Sequence, residues 1–169
     1  MSRPSPTEIR TMMRDRATAD IARFGWSMIG VFPTDDNDSI QTYFCYTVGL
    51  WQTYGQAELV TLMLRPEVAN AVVHGLVDDH LKQGERYVHG QTADDLIRDF
   101  SVHFRTVPVA SERYTLSAAR AYYGHDEFDV LQMVLPDKAG KFPWDAGVDP
   151  AMRTIQDDIL RGQGQETSG

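Results

Sequence analysis

Three histidines of this chain have side chains suited to general acid or base chemistry, because an imidazole changes its charge near neutral pH. His89 and His125 each lie next to a glycine and are predicted in loops, which often present reactive groups. His103 alternates with apolar neighbours and shares the polar face of a predicted strand with Arg105, which could orient a substrate. The competing interpretation is that each histidine is an ordinary surface residue.

Two aromatic-rich segments, residues 43–51 and 131–147, each join a strand-like run to a polar turn. A glycine at the end of a strand lets a ligand approach the backbone, and an indole beside an ammonium can hold an anionic or aromatic molecule. We expect the two segments to meet along one hollow. The predicted ligand-binding residues are Tyr46, Thr47, Gly49, Trp51, Lys141 and Trp144. The alternative is that the glycine marks a bulge, the tryptophans pack and the lysines are solvated.

The chain lacks the spacings that identify metal and catalytic sites. Its five histidines form no His-x-x-x-His pair, and its single cysteine, Cys45, has no companion. Asp35, Asp36 and Asp38 lack the glycine and glutamate of a calcium loop. No phosphate loop and no Gly-x-Ser-x-Gly elbow is present. We therefore expect no metal and no cofactor.

Composition predicts one globular domain over residues 1–161, followed by a flexible polar tail over residues 162–169. The 42 % hydrophobic and 24 % charged fractions are typical of soluble proteins. A net charge of −8 without a Lys/Arg run argues against nucleic-acid binding. The chain has no apolar run of membrane-spanning length and no secretion signal, and its lone cysteine suits a reducing compartment, so we expect a cytoplasmic protein that does not bind membranes.

Periodicity predicts an α+β fold in a single domain, with about five mainly antiparallel strands packed against two long and two or three short helices. Ser5 to Glu8 is a capping box that begins a helix ending near Phe24, and residues 59–64 are apolar on both faces, as in a central strand. The other predicted elements are a hairpin of strands 26–32 and 42–50, a helix from Pro66 to Gly84, a short helix 92–97, strands 100–105 and 128–135, a helix 117–123 and a last helix from Asp149.

Several of these runs together resemble a bacterial and phage protein family, the domain of unknown function 4262. The resemblance rests on Tyr46-Thr-Val-Gly-Leu50, on Gln132-Met-Val-Leu-Pro-Asp137 and on Pro143-Trp144, and it spans roughly residues 20–150. Where family members often carry a Gly-His-Pro-Glu-like turn before the third strand, this chain has Gly55-Gln-Ala-Glu58. The resemblance implies a compact single domain and no particular activity.

Three hypotheses about function follow from these residues. The first is a non-catalytic binding or accessory protein for a small anionic or aromatic ligand or for a protein partner. The second is a small-molecule enzyme that uses His89, His103 or His125 as its acid or base. The third is a structural or phage-host interaction protein with an exposed apolar patch, for which self-association into a homo-oligomer would be evidence.

Overall fold

A computed structural model describes residues 4–31, 44–110 and 115–158 of the 169-residue chain. The predicted polar turn at residues 33–38 and the predicted tail at residues 162–169 lie outside the described residues. Helix α1 (Pro6–Phe24) begins as its capping box predicts, because the Ser5 hydroxyl accepts a hydrogen bond from the Glu8 N–H at 3.1 Å. Gly25 ends the helix in the left-handed conformation, with φ 91°.

One six-stranded sheet forms the centre of the molecule. Its spatial order is β1-β2-β3-β6-β5-β4, and every neighbouring pair is antiparallel except β3 and β6, which run parallel. The strands are β1 (Ser27–Val31), β2 (Phe44–Val48), β3 (Glu58–Thr61), β4 (Thr92–Ile97), β5 (Phe100–Thr106) and β6 (Val130–Val134). The hairpin of β1 and β2 and the central place of β3 agree with the sequence prediction.

Helices cover both faces of this sheet. The remaining ones are α2 (Leu50–Tyr54), α3 (Pro66–Asp79), α4 (Ser117–Tyr123) and α5 (Pro150–Arg153), with a 3₁₀ turn at Leu81–Gln83 and a π-helical turn at Thr154–Asp158. Helices α1 and α4 pack on a core that includes Tyr46 and Val60, whereas α3 packs on a second core that includes Leu59 and Met133. These two layers confirm the predicted α+β class.

The predicted short helix at residues 92–97 is wrong, because this segment is strand β4. Thr92-Ala-Asp-Asp95 has the local pattern of a helix cap, but Ala93 pairs with Val102 and Ile97 pairs with Phe100 across a tight turn at Asp99. Pairing with β5 outweighs the weak local preference of so short a segment. The sheet therefore gains a sixth strand at its edge. Within the described residues, no helix is both long enough and apolar enough to cross a bilayer.

Candidate ligand site on strand β5

Strand β5 has one apolar face and one polar face, as its alternation predicts. Val102 and Phe104 are completely buried on the side of helix α3. His103 and Arg105 alternate with them and therefore project from the opposite face. The register places Arg105 beside Gln132 and His103 beside Val134 of β6, so the polar residues of two strands lie side by side.

The loop after β6 places two aromatic rings over this polar face. Phe142 and Trp144 stack with ring centroids 5.2 Å apart and an interplanar angle of 7°. The His103 ring meets Trp144 edge-on at 4.8 Å and Phe142 at 6.0 Å. We call His103, Phe142 and Trp144 the aromatic platform. Trp144 is 45 % exposed, so one large aromatic surface of the platform stays open to solvent.

Arg105 lies beneath the platform and fastens the C-terminal segment to the sheet. The side chain is buried, its Nε donates to Gln132 Oε1 at 2.9 Å, and its Nη2 donates to the Gln156 carbonyl at 2.8 Å. The guanidinium also lies 5.6 Å from the centre of the Trp144 ring, within the range of a cation–π contact. Gln132 Nε2 donates to the same Gln156 carbonyl at 2.8 Å. The hydrogen bonds hold the turn at Gln156 against β5 and β6, and the cation–π contact joins Arg105 to the platform.

Asp137 shapes the loop that carries the two rings. Its carboxylate accepts hydrogen bonds from the N–H groups of Ala139 and Lys141, both at 2.9 Å, and of Asp149 at 3.1 Å. The N–H groups of Lys141 and Asp149 lower the pKa of this carboxyl. Lys141, a predicted ligand residue, directs its Nζ to the Ala146 carbonyl at 3.0 Å, so it closes the loop on itself.

His103 is the least satisfied polar group of the platform. Burial lowers the pKa of this half-buried imidazole, and the neighbouring His89 and Arg105 lower it further. Within the described part of the chain, neither ring nitrogen makes a hydrogen bond to protein. His89 is different, because its Nδ1 accepts from the Thr106 N–H at 2.9 Å. A neutral His103 therefore offers one donor and one acceptor to a ligand.

The other aromatic segment closes around a buried carboxylate. Glu58 is completely buried and accepts hydrogen bonds from Thr47 Oγ1 at 2.8 Å and from Tyr123 Oη at 2.5 Å. It also accepts from three backbone N–H groups, those of Gly49 at 3.0 Å and of Leu50 and Trp51 at 3.2 Å. We call these residues the Glu58 hub. Burial raises the pKa of the Glu58 carboxyl, and the hydrogen bonds from Tyr123, Thr47, Trp51 and Gly49 oppose that rise.

Three of the predicted ligand residues of this first segment, Tyr46, Thr47 and Gly49, are thus buried, and the fourth, Trp51, is half-buried. Tyr46 is 1 % exposed, and its hydroxyl accepts from the Ala118 N–H at 3.0 Å. Thr47 is completely buried, and Trp51 packs on the core beneath α1 and α4. Gly49 has φ 106°, and a Cβ atom there would lie 2.8 Å from Ile21 Cγ1. Its glycine is needed for close packing against helix α1.

The two aromatic segments do not share a hollow, which corrects the predicted convergence. Glu58 pairs with Val130 of β6, whereas His103 pairs with Val134, four residues further along that strand. With strands about 4.8 Å apart and about 3.3 Å per residue, the hub and the platform are separated by roughly 16 Å. The platform instead unites Trp144 with His103 and Arg105, and His103 interacts electrostatically with His89.

His125, the third histidine, belongs to the other region. Its ring lies 6.1 Å from that of Tyr123, and its Nδ1 accepts from the Glu127 N–H at 2.9 Å. The three proposed catalytic histidines therefore do not form one cluster, although His89 and His103 are neighbours.

Several important residues escaped the sequence interpretation. Glu58 and Gln132 are completely buried polar residues inside apolar runs, and this interruption of an apolar pattern was the available signal. Gln156 gave no comparable signal, because its partners Arg105 and Gln132 lie far away in the sequence. Phe142 lies within the predicted segment 131–147, but nothing in the sequence indicated its contact with the distant His103.

Residues 20–149 match the family described as domain of unknown function (DUF4262). No curated protein and no solved structure shows a significant match. The family match covers well over half of the chain and includes β5, β6 and the platform loop. The chain therefore belongs to the DUF4262 family.

Proposed function

We propose that this protein is a non-catalytic binding protein for a small aromatic ligand, which packs on the platform of His103, Phe142 and Trp144. The observation that carries the proposal is the exposure of Trp144. An indole that is 45 % exposed yet held between a stacked ring and an edge-on imidazole offers a ready apolar surface.

The polar groups around the platform define the chemistry of the ligand. Neutral His103 can donate one hydrogen bond and accept another, so it suits a ligand with a polar ring edge. The Arg105 guanidinium lies beneath Trp144 and acts electrostatically on His103, and from this nearby charge we infer a preference for a ligand bearing a negative group. An aromatic carboxylate combines these properties.

The rigidity of the loop supports a binding role. Besides Asp137, the loop is held by Asp145, which accepts from the Phe142 N–H at 2.8 Å, and by Arg153, whose Nε donates to the Pro143 carbonyl at 2.7 Å. A surface that is already ordered loses less conformational entropy when a ligand binds.

The test is a fluorescence titration with a panel of small aromatic carboxylates, with matched aromatic amides that lack the negative charge. We expect saturable quenching of Trp144 and tighter binding of the acids. Trp144→Ala should weaken binding by more than about 1 kcal/mol, which is about fivefold, while thermal unfolding stays cooperative. Trp51→Phe is the matched control, because Trp51 lies at the hub, and it should leave the affinity unchanged. Equal affinities of the wild type and Trp144→Ala would reject the platform as the binding site.

A second candidate function is catalysis at the same place, with His103 as a general base. It is favoured by the lowered pKa of this histidine and by the absence of a described protein partner for its ring nitrogens. If a ligand of the platform is turned over, His103→Gln should abolish turnover while its binding persists. Binding without any chemical change of the ligand supports the non-catalytic function.

A further inference from the structure

A groove beside strand β4 carries a set of acidic side chains that the proposed function does not use. It has a volume of about 520 Å³, which is enough for a small molecule, and it lies between strand β4 and the segment that follows α3. Its charged and aromatic lining residues are His80, Glu85, Arg86, Tyr87, Asp94 and Asp95.

His80 joins the two sides of this groove. Its Nδ1 contacts a Glu85 carboxylate oxygen, and its Nε2 contacts Asp95 Oδ2 at 2.8 Å. A neutral imidazole has one N–H group, so both contacts are hydrogen bonds only when His80 is protonated. The bond to Glu85, and then the bond to Asp95, raise the pKa of His80, whereas burial opposes the rise.

Tyr87 adds an observation that is independent of the acidic residues. It is 6 % exposed, and its ring stacks on Phe104 with centroids 4.5 Å apart. Within the described part of the chain, the Tyr87 hydroxyl has no hydrogen-bond partner. Its oxygen is not fully buried, so it reaches the solvent of the groove. Burial, together with Asp95 and Glu85, raises the pKa of Tyr87 to about 12, which keeps the phenol neutral.

From these contacts we infer that the groove binds a small organic cation with primary ammonium groups, held by Glu85, Asp95 and the Tyr87 hydroxyl. An ammonium has three N–H donors, and these three side chains supply acceptors for them. Over the described ranges, no three acidic, histidine or cysteine side chains are arranged to hold a metal ion. The N–H donors of an organic ammonium therefore suit these acceptors better than a metal ion does. Arg86, another lining residue, donates through Nη1 to the carbonyls of Leu81 and Glu85 and keeps its positive charge. The lining therefore sets the three carboxylates of Glu85, Asp94 and Asp95 against one guanidinium when His80 is neutral.

The cation and the His80 proton compete for the same carboxylates. As the pH rises through the His80 pKa, Glu85 and Asp95 lose their shared imidazolium partner and the groove loses one positive charge, so cation affinity increases. The titratable and charged groups around His80 are Glu85, Arg86 and Tyr87 of the following segment, Asp79 of α3, and Asp94 and Asp95 of β4.

The experiment is calorimetric titration of the full chain with 1,4-diaminobutane at about pH 6 and about pH 8.5. We expect the dissociation constant to fall by about fivefold or more at the higher pH. Asp95→Asn should weaken binding about tenfold, because it removes a negative charge beside the ammonium. Tyr87→Phe should weaken binding about threefold, because it removes one acceptor. Asp15→Asn is the matched control, since it removes an equally exposed carboxylate on α1, and it should change the affinity less than twofold.

Three results would overturn the inference. One is no heat of binding at millimolar diamine, and another is an equal loss of affinity in Asp95→Asn and Asp15→Asn, which would mean general charge screening. The third is tighter binding of Mg²⁺ than of the diamine at this groove. Thermal unfolding of each variant keeps the test independent of folding, and Trp144→Ala should bind the diamine normally.

Discussion

The Glu58 hub and the aromatic platform are built from similar residues, yet only one of them leaves its groups unsatisfied. At the hub, a tyrosine hydroxyl, a threonine hydroxyl and three backbone N–H groups all point at one buried carboxylate. At the platform, an exposed indole lies beside an imidazole whose nitrogens have no partner in the described residues. The comparison teaches that aromatic content alone does not distinguish a structural network from a binding surface. The two regions differ in whether their polar groups already have hydrogen-bond partners and whether their apolar surface is already packed within the fold.

The largest expected effect on stability comes from removing the Glu58 carboxylate of the hub. Glu58→Ala removes the acceptor of five hydrogen bonds and leaves buried donors without a partner, so we expect a loss of about 3 to 5 kcal/mol in the free energy of unfolding. Urea unfolding measures it. Glu8→Ala, at an exposed position on α1, is the control and should cost much less. A loss below about 1 kcal/mol for Glu58→Ala would remove the hub from its structural role.

Alanine substitutions at two glycines with left-handed backbone, Gly49 and Gly140, should differ in their cost to the free energy of unfolding. Gly49→Ala places a Cβ 2.8 Å from Ile21 Cγ1 and 2.9 Å from the Gly25 carbonyl oxygen at φ 106°, so we expect a loss of about 2 to 4 kcal/mol. Gly140→Ala, at φ 82° with nothing within 4 Å, should lose only about 1 kcal/mol from backbone strain. Similar midpoints in urea for the two variants would contradict the close packing at the hub.

The platform should tolerate changes that the hub does not. Trp144→Ala removes a half-exposed ring, so the expected loss of unfolding free energy is about 1 kcal/mol or less, and near-ultraviolet circular dichroism should report the loss of its stacking on Phe142. A loss as large as that of Glu58→Ala would make the platform part of the core, and the proposed binding surface would lose its basis.

The smallest effect is a pH dependence at His80. Its folded pKa is raised above the unfolded value, so its stabilising contribution is complete below the unfolded pKa and disappears as the pH rises through the folded pKa. Thermal melts from about pH 5 to about pH 9 should therefore show a decline near and above neutral pH that is reduced in His80→Gln. Melts of His103→Gln serve as the comparison, because a lowered folded pKa gives the opposite sign. Identical pH profiles of His80→Gln and the wild type would contradict a stabilising contact of His80 with Glu85 and Asp95.

Much of the secondary structure could be predicted because its causes are local. The Ser5 cap, the left-handed Gly25 and the alternation of Val102 and Phe104 with His103 and Arg105 act within a few residues. Strand β4 was not predicted, because its pairing with β5 outweighs the local helix preference of the cap-like residues at its start. The surroundings of Tyr46, Thr47 and Gly49 could not be predicted, since these residue types suit the wall of a pocket and a network around Glu58 equally well.

The sequence by itself determined the α+β class, the helix ends and the polar face of β5, because capping, hydrophobic period and glycine conformation are properties of short segments. Only the tertiary structure decided that Glu58 is surrounded by residues 47–51 and by Tyr123, and that Trp144 lies against His103 and Arg105. The physical reason is that the contacts of Tyr123 with Glu58 and of Trp144 with His103 and Arg105 join residues 39 to 65 positions apart. The strand order that brings these residues together is determined by the packing of the whole sheet.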